Sequence, residues 1–365
     1  MIDKIEKKPP CYIIAEAGVN HNGSMEMAVE LVKCAAVAGV DAVKFQTFKS
    51  ENVVTRDATK AEYQITNTEE AGSQIDMIRK LELSFDQFRE LSKVAAQEGV
   101  DFLSTAFDGE SLTFLAQDIG IDQLKIPSGE LTNGPYLLDC ARLGLPMIVS
   151  TGMSTLDEVR AALDVIAFGL TSDADPRGVS DFHDFAITEQ GRAALKDKVT
   201  LLHCTTEYPT PFEDVNLLAM DTLADSFDLA VGYSDHTVGI TVPVAAVARG
   251  AMVIEKHFTL DRSLPGPDHA ASLEPNELTA MVRAIRETSL ALGHGDKTPA
   301  ASEIKNIPIA RRSLVAARSI CKGEPLTTDM LTAKRPGDGL SPMQFWDVLG
   351  SPANRDYDPD DKIEP

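Results

Sequence analysis

The sequence predicts an α/β protein: a (β/α)8 barrel followed by a small, mostly β domain. Three observations carry this. Short β-like segments alternate with longer helical ones eight times between residue 11 and about residue 290. No Gly-x-Gly-x-x-Gly turn follows a strand, which disfavours a doubly wound open sheet. The texture changes after residue 308 to short β-like pieces separated by turns.

Each element follows from local signals. Residues 11–17 form an apolar strand, and Asn20, His21, Asn22 and Gly23 make the turn after it. Ser24 caps a helix over 25–38 that Gly39 closes. Residues 41–47 are the second strand, and 48–75 form a polar excursion too long for an ordinary connection. Ser84 starts a helix ending at Gly99, and 101–107 is the third strand. Strand four spans 123–126, after a helix ending at Gly120; strand five spans 146–150, after one ending at Gly144. Thr155 caps a helix to about Phe168, and the Gly- and Asp-rich stretch 171–184 reads as a surface insertion. Strands six, seven and eight fall at 199–205, 229–233 and 251–257, and Pro275 begins a final helix reaching about residue 292. The expected domains are thus a barrel over 1–292, a linker over 293–308, and a small domain over 309–365 that is marginal alone.

Composition removes several function classes. The formal charge of −22 argues against nucleic acid or an anionic membrane as partner. No run of eighteen apolar residues exists, and the N-terminus is charged, so neither a spanning segment nor a signal peptide is expected. The five cysteines are scattered without a Cys-x-x-Cys pair, which argues for a reducing, cytoplasmic setting and against structural zinc or disulfides. Cys204 reads as a small buried apolar residue.

Polar residues collect at the C-terminal ends of the strands, where barrel active sites are built. His236 and His257 end consecutive strands, and two imidazoles aimed at one place suit a divalent metal. Period-two alternation puts Lys44 and Gln46 on one face, and Glu255 and His257 on one face with Lys256 outward. Lys125, Ser128 and Ser150 form an anion cradle of an ammonium, hydroxyls and backbone N–H groups. Asn20-His21-Asn22 reads as a turn rather than a site. The residues alone thus describe a barrel enzyme binding a phosphorylated anion and a metal. Aldol-type bond formation, sugar isomerisation and phosphate chemistry all fit.

The ordered motifs resemble the sialic acid synthase family. They are Ala-Glu-Ala-Gly-Val-Asn-His-Asn-Gly (15–23), Lys-Phe-Gln (44–46), Lys-Ile-Pro-Ser-Gly-Glu (125–130), Ser-Thr-Gly-Met (150–153), His-Cys-Thr-Thr-Glu-Tyr-Pro (203–209), Gly-Tyr-Ser-Asp-His-Thr (232–237), Glu-Lys-His-Phe (255–258) and Gly-Pro-Asp (266–268). Lys-Arg-Pro-Gly (334–337) resembles that family's small antifreeze-like domain. The resemblance implies condensation of phosphoenolpyruvate with N-acetylmannosamine to N-acetylneuraminate and phosphate. The same chemistry on a 2,4-diacetamido-6-deoxy sugar, giving N,N'-diacetyllegionaminate, is the alternative. It further implies that Lys44, Lys125, Ser128, Ser150 and Ser234, with Thr105 nearby, hold phosphoenolpyruvate. Glu16, Gln46, Glu130 and Glu255 would order the reacting groups. Tyr63, Asn67, Tyr208, Asp268 and Arg335 would contact the sugar, Arg335 from the partner of a domain-swapped homodimer. His236 and His257 would bind Mn²⁺, with Mg²⁺ or Co²⁺ as alternatives. Thr206 stands where the family carries an asparagine, and 171–184 has no counterpart in it. A metal-dependent aldolase or isomerase would need no phosphoenolpyruvate. A non-enzymatic carbohydrate- or ice-binding protein would leave the strand-end residues unexplained.

Overall fold

The computed structural model describes residues 11–55, 58–60, 64–65 and 73–364. Chain contacts divide it into two compact units, Met1–His294 and Gly295–Pro365. In the first, eight parallel strands close into a barrel in sequence order: β1 (Tyr12–Gly18), β2 (Ala42–Thr47), β3 (Asp101–Ala106), β4 (Leu124–Ile126), β5 (Met147–Ser150), β6 (Val199–His203), β7 (Ala230–Asp235) and β8 (Val253–His257). Closure through the β1–β8 pairing excludes the open sheet. Outward strand residues such as Ile13, Val43, Phe45, Val149 and Ile254 pack under the helices, while Ile14, Ala42, Leu103, Ile148, Leu202 and Val253 form a separate apolar cluster.

The helix signals work as the sequence implies. Ser24 accepts from Met27 N at the start of Met25–Ala38, and Gly39 closes that helix in the left-handed region. Ser84 and Thr155 form capping boxes with Gln87 and Glu158.

Three segments differ from expectation. The stretch 171–184 is not a plain surface loop: the preceding helix runs on to Thr171, and a further helix, Val179–Ala186, follows. Phe182 and Phe185 stack edge-on against Phe168, so a tertiary contact overrides the turn-rich composition. The excursion after β2 ends in a helix, Gln74–Leu81, capped by Ser73. Its inward face is apolar: Phe48, Val53, Ile78 and Leu81 cluster with Val19 and Phe107. Lys256 does point out of the barrel, but it is fully buried against Asp235, 2.6 Å away.

The second unit holds a two-stranded antiparallel sheet, β9 (Ser313–Ala316) with β10 (Leu331–Lys334). Its core contains Leu314, Ile320, Leu326, Met330, Tyr357 and Ile363. A four-residue helix, Ala301–Ile304, lies within the 293–308 segment expected as linker, and a second, Ile307–Ala310, begins there and runs two residues past it.

Candidate active site

The C-terminal ends of the strands enclose a cavity of about 440 Å³. Its floor is a network of four buried charges. Lys44 Nζ lies 2.5 Å from Glu16 Oε2 and 3.4 Å from Glu255 Oε2. Lys125 Nζ lies 3.5 Å from Glu255 Oε1. Hydroxyls complete the network: Lys44 donates to Thr105 Oγ1 (3.1 Å), Lys125 to Ser150 Oγ (2.8 Å), and Ser234 to Glu255 Oε1 (2.8 Å). Gln46 Nε2 donates to Glu16 Oε1 at 3.1 Å. Gly18 sits at a register shift between β1 and β2 with φ of +53°, and a Cβ there would stand 3.2 Å from both Gln46 Nε2 and Glu16 Oε1.

The two carboxylates are driven apart. Burial, reinforced by the Glu255 charge, pushes Glu16 up to about 7 against the pull of Lys44. Glu255 is equally buried, yet Lys125 and Lys44 together outweigh that burial and hold it at about 2. Near neutral pH Glu16 is therefore partly protonated and Glu255 is not, so the floor carries net positive character suited to an anion.

The anion cradle beside this floor is close-packed. Gly152 N donates to Ser128 Oγ at 3.0 Å, and that oxygen lies 3.2 Å from Cys204 Sγ. A Cβ on Gly152 would fall 2.5 Å from Thr206 Oγ1 and 2.8 Å from Ser128 Oγ, so any side chain there would displace both hydroxyls. Burial pushes the Cys204 thiol up, which keeps it an inert spacer.

His236 and His257 face the same cavity with ring centroids 5.6 Å apart. His236 Nδ1 is 2.6 Å from Thr205 O, so it donates there and leaves Nε2 with its lone pair. His257 Nδ1 is buried without a hydrogen-bond partner, its nearest carboxylate oxygen being Asp268 Oδ2 at 3.9 Å. Burial pushes His236 down to about 4; burial and then His236 push His257 well below the usual range. Two neutral imidazoles, one with an unused buried nitrogen, fit a divalent cation. Among the described residues no group of three or more His, Cys, Asp or Glu side chains could hold a metal, so substrate or water would complete the coordination.

Behind this wall the Asp235–Lys256 ion pair joins the outer faces of β7 and β8, where the two residues are in register. Asp235 also accepts from Thr237 N and Thr237 Oγ1, each at 3.1 Å. The pair thereby fixes the backbone on either side of His236.

Tyr208 lies over His236, centroids 4.1 Å apart, and buried Asp268 is pushed up to about 6 by desolvation. Both line the cavity. Glu130 does not: it is half-buried in the 3-10 turn Ser128–Glu130 and accepts from Asn133 Nδ2 at 2.7 Å. Arg335 is exposed in the second unit, with Nε donating to Ala310 O at 3.0 Å. Tyr63 and Asn67 lie outside the described residues. Sequence reading also passed over the Asp235–Lys256 pair and an apolar flank of the cavity. Continuing the Lys44, Gln46 alternation by one step to Phe48 would have reached that flank.

Two family models match this chain. The NeuB family model matches residues 31–297, and the SAF domain model matches residues 311–363. The chain is 47% identical over 341 residues to the N,N'-diacetyllegionaminic acid synthase of Legionella pneumophila, covering 93% of this chain and 90% of that protein. It is also 47% identical over 351 residues to the enzyme of the same name from Campylobacter jejuni, covering 96% and 98%. Among solved structures it is similar to the N-acetylneuraminic acid synthetase of Leptospira borgpetersenii in complex with citrate. That match has a TM-score of 0.66 and 32% identity, covering 82% of this chain and 91% of the other.

Proposed function

The chain belongs to the NeuB family, and from that premise we propose that it condenses phosphoenolpyruvate with the open-chain aldehyde of an N-acetylated mannose-type sugar. The products are a nonulosonic acid and inorganic phosphate. One observation carries the reading: a single cavity sets two buried ammoniums with their hydroxyls against two neutral, inward-facing imidazoles.

Phosphoenolpyruvate binds on the floor, with Lys44 and Lys125 meeting its negative charge and Ser128, Ser150 and Ser234 accepting or donating around it, Thr105 nearby. Its C3 bonds to the aldehyde carbon. Water adds at C2, and the tetrahedral carbon expels phosphate by C–O cleavage. Glu16, with a pKa of about 7, holds the proton that the aldehyde oxygen takes up as the new bond forms. Gln46 fixes that carboxyl through Oε1. Glu255 stays ionised and anchors both ammoniums. Tyr208 and Asp268 flank the acceptor. His236 and His257 would hold a divalent cation, Mn²⁺ first, with Mg²⁺ or Co²⁺ as alternatives, and such an ion would supply Lewis-acid polarisation of the aldehyde when bound.

Phosphate release from phosphoenolpyruvate tests the proposal, with N-acetylmannosamine and a 2,4-diacetamido-6-deoxy-mannose offered separately. Release that needs a sugar is the expected result. Release without sugar, or none with either, overturns it. The reading also makes the protein a dimer, as the resemblance implies, and an active monomer by light scattering rejects that part.

A further inference from the structure

We infer that the buried Asp235–Lys256 pair sets the spacing between His236 and His257, so that both of its members are positioning residues for a divalent cation. This rests on the cation assigned to the two histidines above and names the part of the chain that holds them at a fixed separation.

His236 and His257 hang from different parts of the barrel wall. The β7–β8 register ends with Asp235 opposite Lys256, and both histidines stand one residue beyond it. His236 is carried by the segment after β6. Its Nδ1 lies 2.6 Å from Thr205 O, and its own carbonyl accepts from Thr210 N at 2.9 Å. His257 is carried by β1, where it is in register with Glu16, and Phe258 N donates to Glu16 O at 3.0 Å. Two supports that move separately leave the distance between the rings unfixed.

The outer face supplies the link. Asp235 immediately precedes His236, and Lys256 immediately precedes His257. Lys256 Nζ lies 2.6 Å from Asp235 Oδ2 and also donates to the carbonyl of Thr237, on the far side of His236. Asp235 closes the circuit by accepting from Thr237 N and Thr237 Oγ1. One ammonium thus ties the residue before His257 to both neighbours of His236.

Asp235, Thr237 and Lys256 are fully shielded from water. A buried pair of this kind adds little to stability, because desolvating both charges offsets their attraction, and apolar residues of like volume hold a fold as well. What it supplies is direction, since a buried polar network with every member satisfied admits one arrangement. A bound cation needs that. Metal–ligand distances tolerate about 0.2 Å. Among the described residues no third His, Cys, Asp or Glu completes a ligand group, so no further side chain corrects an error in the spacing of the two imidazoles.

The probe is Mn²⁺ alone, titrated into the metal-stripped full chain without substrate, with the free ion read by electron paramagnetic resonance. The site is the binding that His236→Ala removes. Asp235→Leu with Lys256→Met replaces the pair by apolar residues. It should weaken that binding by about 10–100-fold, with the urea midpoint unchanged or raised. Asp235→Asn with Lys256→Met keeps an oxygen for Thr237 and leaves no buried charge, and it reads the same quantity if the first variant does not fold. A weakening of at least about 10-fold is expected there too. Unchanged affinity in a folded variant overturns the inference and leaves the cation in place. A weakening seen only together with a lowered urea midpoint marks loosening of the whole barrel and overturns it as well. Wild-type protein without any Mn²⁺ binding that His236→Ala removes overturns the cation assignment itself, and the inference with it.

Discussion

His236 and His257 form one buried pair of histidines in the barrel, and His21 and His269 form another. Burial pushes His236, His21 and His269 each down to about 4, and His257 well below its usual range. What separates the pairs is where the ring nitrogens lead. His21 Nδ1 accepts from Gly23 N at 3.0 Å, and its Nε2 is buried without a partner and off the cavity. His269 Nδ1 is 2.7 Å from Thr259 Oγ1 and its Nε2 is 3.3 Å from Asn22 Oδ1, so it ties the turn after β1 to the loop after β8. His236 and His257 line the cavity. A depressed pKa marks burial in both pairs; a place on the cavity wall marks the site in only one.

The largest expected effect comes from the cavity pair. His236→Ala or His257→Ala should lower turnover by about 10³-fold or more, the scale of a lost Lewis acid, with the thermal midpoint little changed. Near-normal turnover in either variant breaks the distinction. His21→Ala should do the reverse. It empties a fully buried site and should cost about 2–4 kcal/mol of unfolding free energy, read by urea denaturation, with kcat retained in the folded protein. A folded His21→Ala protein without turnover would move His21 into the chemistry.

The smallest effect is on pH dependence. The folded pKa of His21 and of His269 lies near 4, below the ordinary 6.5. As pH falls, the unfolded chain takes up protons before the folded one does. Their contribution is therefore complete above about 6.5 and declines toward 4. At pH 5 the loss is about 2 kcal/mol for each histidine. Urea midpoints at pH 7.5 and 5 measure it, and His21→Gln should flatten the slope. An equal slope in that variant would remove His21 from the account.

Much of the barrel is legible in the sequence because its signals are local. Caps at Ser24, Ser84 and Thr155, and left-handed glycines at 39, 99, 120 and 144, punctuate the strand–helix rhythm. The floor is legible because period two places Lys44 with Gln46 and Glu255 with His257. Non-local features are not. Residues 171–184 look like a loop until Phe168 is known to receive Phe182 and Phe185. The outward direction of Lys256 follows from alternation; its burial does not, since Asp235 becomes its partner only through the β7–β8 register. The apolar flank joins the ends of three strands to a helix some thirty residues further on from β2, a proximity that no window of sequence contains. The histidine pairs show the same limit from the other side. Asn20-His21-Asn22 is a turn, as its composition implies, but composition does not say that His21 is fully buried.

The most direct test of the reaction assigned to the cavity uses phosphoenolpyruvate labelled with ¹⁸O in the C2–O–P bridge, incubated with the protein, Mn²⁺ and the diacetamido-6-deoxy acceptor. The account predicts that the released phosphate carries the label, because the C–O bond breaks, and that mass spectrometry finds a nine-carbon 2-keto acid. Unlabelled phosphate accompanied by pyruvate would show cleavage at phosphorus and contradict the account.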